Sequence, residues 1–271
     1  MKTYLTLSAI ALAAAATLSS GVVMAADPAP APDFVVTGNF GITSDYRFRG
    51  ISQNNLDPAF QGGFDVTHSS GLYIGTWGSN VSAWTASATG SFEMDLYGGY
   101  KTEVAGVGLD VGAIAYKYPG SDKSWRSNTE EAYVGLTYGP AVFKTSYTLG
   151  KNYFASAGTP ASSNRGTMYY DLTLSYEIAP KLVASVHAGY TDYKTETYSA
   201  GKFSYADYNV GLAYDLGNGF TAGLKYFVND AKAGTKAYAG AEAASSSYSG
   251  APALGKSLLK DGVAVSLTKA F

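Results

Sequence analysis

Gly262-Val263-Ala264-Val265-Ser266-Leu267-Thr268-Lys269-Ala270-Phe271 alternates in character and stops on an aromatic residue. In a strand, successive side chains point to opposite faces, so Val263, Val265, Leu267 and Phe271 share one face while Ala264, Ser266 and Thr268 share the other. A last strand with one apolar and one small or polar face leaves an unpaired edge unless another strand joins it. In a membrane, strands satisfy all their backbone polar groups only by closing into a barrel. The stretch therefore predicts an all-β fold, a transmembrane antiparallel up-and-down barrel whose last strand closes on its first.

The other end of the chain agrees. Lys2 precedes an apolar, alanine-rich run over residues 5–16, and Val23-Met24-Ala25 puts small or apolar residues at a cleavage position. This predicts a secretory signal peptide over residues 1–25, followed by a Pro/Ala-rich periplasmic lead over 26–33 and a barrel over 34–271. The Ser19-Ser20-Gly21 break and the Pro-Ala run at 28–32 argue against a helical membrane anchor. No later stretch reaches the roughly 18 continuous apolar residues that a spanning helix needs. The chain has no cysteine, which removes thiol catalysis and cysteine metal sites.

Composition narrows the class. The 271 residues include 32 Gly, 23 Tyr and 12 Phe, and only 15% are charged. Soluble domains usually carry about 25% charge. Dense tyrosine suits either a secreted β-protein or the aromatic girdles of a membrane barrel. A formal charge of −2 gives no basic footprint for nucleic acid.

Read for period two, the chain after residue 33 yields about twelve segments. The first sets Val36, Gly38, Phe40, Ile42, Tyr46 and Phe48 against Thr37, Asn39, Thr43, Asp45, Arg47 and Arg49. Short turns are expected at 69–71, 102–106, 139–140, 179–180 and 217–219. Longer links are expected near 50–57, 82–90, 119–128, 151–165, 193–204 and 230–260. Strict alternation of long and short is the mark of a barrel with one periplasmic and one outer rim, and an even strand count puts both termini in the periplasm. A soluble eight-stranded barrel would instead bury its aromatics inside. Twelve strands about 4.8 Å apart and tilted about 40° enclose a backbone radius of roughly 12 Å.

Ser44-Asp45-Tyr46-Arg47-Phe48-Arg49-Gly50-Ile51-Ser52-Gln53 resembles the opening signature of the TorF family of porins. Segments 58–66, 71–81 and 93–100, Tyr118-Pro119-Gly120 and the Phe-terminated last strand resemble that family too. The resemblance covers essentially the whole mature chain. It implies an outer-membrane location and a pore function, and carries over no catalytic or ligand residue.

The candidate functional constellation is charge on the inward face: Asp45, Arg47, Arg49, Asp65, Glu93, Asp95, Lys101, Glu131, Lys144, Asp171, Asp207 and Lys225. A lipid-facing Arg or Lys at mid-membrane costs about 2–4 kcal/mol, so inward placement is energetically forced. One reading is a selectivity ring, with Arg47 and Arg49 roughly opposite Glu131 and Asp171, setting a transverse field across the pore. The other is that neighbouring charges pair and fill the lumen. Phe271 is the candidate closure and assembly residue, read by the barrel assembly machinery.

An enzyme reading finds little support. His68 with Ser70, and Ser185 with His187, are two apart and could share a strand face, but no orienting group or oxyanion site is identifiable. The histidines lie far apart without carboxylates at a metal-site spacing, so no metal and no cofactor are expected. The sequence thus predicts a channel in the outer membrane of a Gram-negative bacterium, in contact with lipid and passing small hydrophilic solutes or ions. The alternative is a non-conducting structural or surface-interaction barrel.

Overall fold

The computed structural model describes residues 32–82, 91–121, 128–154, 163–194, 204–230 and 258–271. The expected signal peptide, most of the lead and most of the 230–260 link lie outside them. The described strands are β1 (Phe34–Thr43), β2 (Arg47–Phe48), β3 (Ile51–Ser52), β4 (Ala59–His68), β5 (Leu72–Asn80), β6 (Phe92–Val104), β7 (Val107–Lys117), β8 (Thr129–Tyr138), β9 (Ala141–Thr148), β10 (Met168–Ala179), β11 (Leu182–Asp192), β12 (Tyr205–Gly217), β13 (Phe220–Asn229) and β14 (Gly262–Ala270). Twelve of them close into one antiparallel barrel in the order β1-β14-β13-β12-β11-β10-β9-β8-β7-β6-β5-β4, while β2 and β3 form a separate two-stranded hairpin. No described helix is long and apolar enough to cross a membrane, which says nothing against crossing by strands.

Closure is by the stretch that opens the sequence argument. Residues Ser266 to Ala270 of β14 pair with Thr43 to Asn39 of β1, and on its other edge β14 pairs with β13. Phe271 exchanges both backbone bonds with Gly38, at 2.8 and 3.0 Å, beyond the last β14 residue. Its ring covers Gly38, where a Cβ would come within 2.5 Å of it, and meets Phe64 edge-on at 6.1 Å. The glycine is what lets the terminal aromatic lie flat against the seam.

The alternation reads through to exposure. Val36, Phe40, Ile42, Phe64, Leu96, Leu172, Val210, Val263, Val265 and Leu267 are exposed on the outer wall, as an apolar belt needs. The turns at Ser69–Gly71, Ala105–Gly106, Gly139–Pro140, Pro180–Lys181 and Asn218–Gly219 lie at the end that also carries Phe34 and Phe271. The strand ends that the longer links join all lie at the opposite end.

The first strand departs from its sequence reading. β1 stops at Thr43, and Asp45, Arg47 and Arg49 do not continue its inward face. Alternation persists through residue 49, but Tyr46 and Phe48 are not lipid-facing. Tyr46 is buried against Trp77, with ring centroids 5.5 Å apart, and Phe48 packs on Tyr116 and Phe154 at 5.6 and 5.0 Å. The link between β1 and β4 is therefore longer than the expected 50–57, running from 44 to 58, and it turns inward.

Candidate functional site: a hairpin across the lumen

The inward link is built around a two-residue turn. Arg47 pairs with Ser52 and Phe48 with Ile51, leaving Arg49-Gly50 at the tip with φ of 48° and 79°. Positive φ at both positions is the type I′ arrangement, which matches strand twist but suits Gly or Asn far better than Arg at its first residue. Side-chain contacts offset that cost. At the other residue of the tip, a Cβ would lie 2.6 Å from the Asp207 Cβ, so Gly50 is required for the tip to touch the β12 wall.

Arg49 reaches the far side of the barrel. Its Nη1 and Nη2 donate to Glu131 Oε1 and Oε2 at 3.0 and 2.7 Å, a bidentate pair, and Nη1 also donates to the Tyr153 hydroxyl at 2.7 Å. The guanidinium lies over the rings of Tyr169 and Phe48, at 4.2 and 4.7 Å. Glu131 is on β8 and Tyr169 on β10, each five strands from β1 around the barrel, so the hairpin spans the whole lumen. Burial is the largest influence and works against the Arg49 charge, but Glu131, with Tyr153 and Tyr116, together outweighs it and holds the guanidinium above its ordinary value.

The base of the hairpin is fixed as firmly. The Tyr46 hydroxyl donates to Glu93 Oε1 at 3.0 Å, and Tyr46 N donates to Asn54 Oδ1 at 3.0 Å. Asp45 accepts from Ser52 Oγ at 2.6 Å and from Arg47 Nε at 2.5 Å. Arg47 Nη1 also donates to the Lys260 carbonyl at 2.7 Å. Ile51 packs with Tyr205, Leu258 and Leu259. Burial, then the Glu93 and Asp95 carboxylates, push the Tyr46 and Tyr118 phenols well above their usual range, so both remain hydrogen-bond donors.

The remaining predicted lumen residues fall on the inner wall, mostly in local contacts. Asp65 accepts from the Tyr97 hydroxyl at 2.8 Å. Lys101 lies 4.0 Å from Asp110 and over the Tyr73 ring, while Tyr73 donates to Asp110 at 2.6 Å and also bonds the Tyr133 hydroxyl. Lys144 sits 3.9 Å from the Tyr133 ring centroid, beside Asp171 in register. His187 lies between Asp171, at 3.4 Å, and Asp207, at 3.1 Å, with Thr173 and Tyr169 also in reach. Lys225 is exposed on the inner face between Gly211 and Ala264. Asp95 is fully buried, and neither of its carboxylate oxygens has a hydrogen-bond partner.

Sequence reading missed Tyr46, Tyr73, Tyr133, Tyr169 and Asp110 as members of these networks. For Tyr73 and Tyr133 the available signal was a glycine directly opposite, Gly99 and Gly112. A Cβ at Gly75, Gly112 or Gly189 would strike the Tyr97, Tyr133 or Tyr169 side chain, so these rings lie flat on the wall instead of crossing the lumen. Of the two hydrolase candidates, only His68 and Ser70 meet. His187 turns to Thr173 and the two aspartates, whereas His68 Nδ1 lies 2.7 Å from Ser70 Oγ in an exposed turn with Phe34 beside the ring. Among the described residues no group of three or more His, Cys, Asp or Glu is arranged to hold a metal ion.

A profile described as "Bacterial protein of unknown function (Gcw_chp)" matches residues 26–260. The chain belongs to the Gcw_chp family. No curated protein matches it. Among solved structures, the NanC porin aligns with 87% of this chain and 98% of its own at 10% identity and a TM-score of 0.51. The KdgM porin aligns with 88% and 99% at 8% identity and 0.49, and Pseudomonas aeruginosa OccD3 (OpdP) with 90% and 66% at 13% identity and 0.43. At such identities the likeness establishes fold alone. This Gcw_chp member is a closed twelve-stranded antiparallel barrel, similar in fold to the NanC porin.

Proposed function

We propose that this protein is a porin-like channel of the Gram-negative outer membrane, passing small hydrophilic solutes or ions, with the 44–58 hairpin as its constriction. The observation that carries the reading is a closed barrel with an apolar exterior and a charged inner wall, crossed by one hairpin anchored by ion pairs. Such a wall interacts with hydrated solutes and costs energy to maintain in a barrel with no aqueous traffic. The twelve named charges then act as pore-lining or constriction residues. No hydrolytic or other catalytic role is assigned. The resemblance of 44–53 to the TorF family of porins supports the same reading, and that signature falls within the hairpin.

The accompanying topology has residues 1–25 as a signal peptide and 26–33 as a periplasmic lead. Both termini and the short turns face the periplasm, the long links face outward, and the assembly machinery reads Phe271. A second reading, a non-conducting surface-interaction barrel, draws support from one observation: the hairpin packs on strands from β5 round to β13.

Planar-bilayer recording of the refolded protein, beside a variant with residues 45–56 replaced by a short Gly-Ser link, tests both. Discrete conductance steps in the parent, enlarged in the variant, support the constricted channel. A silent parent with a conducting variant favours the sealed barrel. Silence of both, with the barrel folded, refutes passage.

A further inference from the structure

Beneath the aromatic pairs that Tyr46 and Phe48 of the hairpin make with Trp77 and Tyr116 lies one group that no contact satisfies. Asp95 on β6 is flanked in register by Trp77 of β5 and Tyr116 of β7, and both of its carboxylate oxygens lack a partner. The ionisable groups facing it are Glu93 and Tyr97 of the same strand, Tyr116 of β7, Tyr118 of the following link, Glu131 of β8 and Tyr46 of the hairpin. This buried patch holds three carboxylates, Glu93, Asp95 and Glu131, and the hairpin brings one guanidinium, which Glu131 takes.

With the hairpin seated, Asp95 is fully buried and unpartnered, and burial of an uncompensated polar or charged group is unfavourable. The hairpin carries further unfavourable features. Arg49, Asn55 and Leu56 all have positive φ, and Asn54 Nδ2 and Asn55 Oδ1 are buried without partners. Clustered backbone strain and unmet polar groups mark a segment with two competing positions. Against them stand the contacts to the wall, led by Arg49 to Glu131 and Tyr46 to Glu93, with Tyr205 bonding the Arg49 carbonyl, Asn229 the Gly50 carbonyl and Ser52 the Leu258 carbonyl.

We infer that the hairpin is a gate that moves between a lumen-seated and a released position, and that Asp95 is the residue that keeps the seated position from being permanent. Release lets water reach Asp95 and relaxes the tip; seating recovers the wall contacts. Asp95 acts as a positioning residue, since it would set the balance without touching a solute. The inference deepens the channel reading, because a gate matters only where something passes, but its test does not need conduction.

The chain has no cysteine, so Ile51→Cys, buried at the seated hairpin, supplies a unique probe. The refolded barrel is treated with a membrane-impermeant methanethiosulfonate reagent, and labelling is followed by mass. The parent probe should label slowly but measurably. Asp95→Leu should slow labelling by about tenfold, the scale set by removing one unsatisfied buried group, and Asp95→Asn, which removes the charge but keeps a polar amide there, should slow it less. Glu131→Gln should speed it. Labelling of the Asp95 variants at or above the parent rate overturns the proposal, as does an Ile51→Cys parent that never labels. Failure of both Asp95 variants to give the folded, heat-modifiable barrel also overturns it, because Asp95 would then support the seated structure. If the gate moves as expected while bilayer recordings remain silent, the channel reading fails and the moving hairpin stands.

Discussion

Glu131→Gln isolates the strongest contact that seats the hairpin. In the parent, Glu131 is 1% exposed and binds both terminal nitrogens of Arg49 at 3.0 and 2.7 Å. The substitution keeps the size of the side chain but leaves the Arg49 charge buried with the Tyr153 hydroxyl and ring faces as its remaining partners. Removing one member of a buried pair typically costs about 3–5 kcal/mol, because the survivor is left uncompensated. Converted to populations, that is about 150-fold to 5,000-fold, up to the free energy with which the hairpin is docked.

Amide hydrogen exchange reads this directly at Ser52, which donates to the Leu258 carbonyl at 3.1 Å, and at Gln53, which donates to the Tyr46 carbonyl at 2.7 Å. Both should lose protection by that factor, while amides in the β10–β11 ladder keep theirs. Arg49→Met should act alike, and the double variant should lose less than the two single losses combined, because no unpaired charge remains. Unchanged protection at Ser52 and Gln53 in both single variants, within about threefold, would refute the claim that this pair seats the hairpin.

Two further outcomes follow from the seam and the wall. Deleting Phe271 removes two backbone bonds and the ring over Gly38, and Gly38→Val puts a side chain where that ring lies; both should reduce the yield of folded barrel, measured by heat modifiability, more than Tyr138→Ala on the exposed outer wall does. Reversal potentials in a salt gradient should move toward cation preference in Lys144→Gln/Lys225→Gln and toward anion preference in Asp65→Asn/Asp171→Asn, with both shifts shrinking at about 1 M salt, where the screening length is about 3 Å.

The alternation of Gly262 to Phe271 was enough, from sequence, to predict a barrel, because side-chain period two and the need to pair every backbone group leave few other solutions in lipid. The strand count and the order of long and short links were legible for the same reason: turns are marked by Gly, Pro and Asn at short range. Inward placement of Asp65, Glu93, Lys144 and Asp171 was legible because lipid excludes charge. The path of Tyr46 to Gln53 was not. Period two states that Tyr46 and Phe48 share a face, but an aromatic ring is as stable against Trp77 and Tyr116 inside a barrel as against lipid outside it. Only the closed ring of strands brings Glu93, Glu131 and Asp207 within reach of one short hairpin, since those residues stand up to 158 positions from Arg49 in the chain and meet it across the lumen.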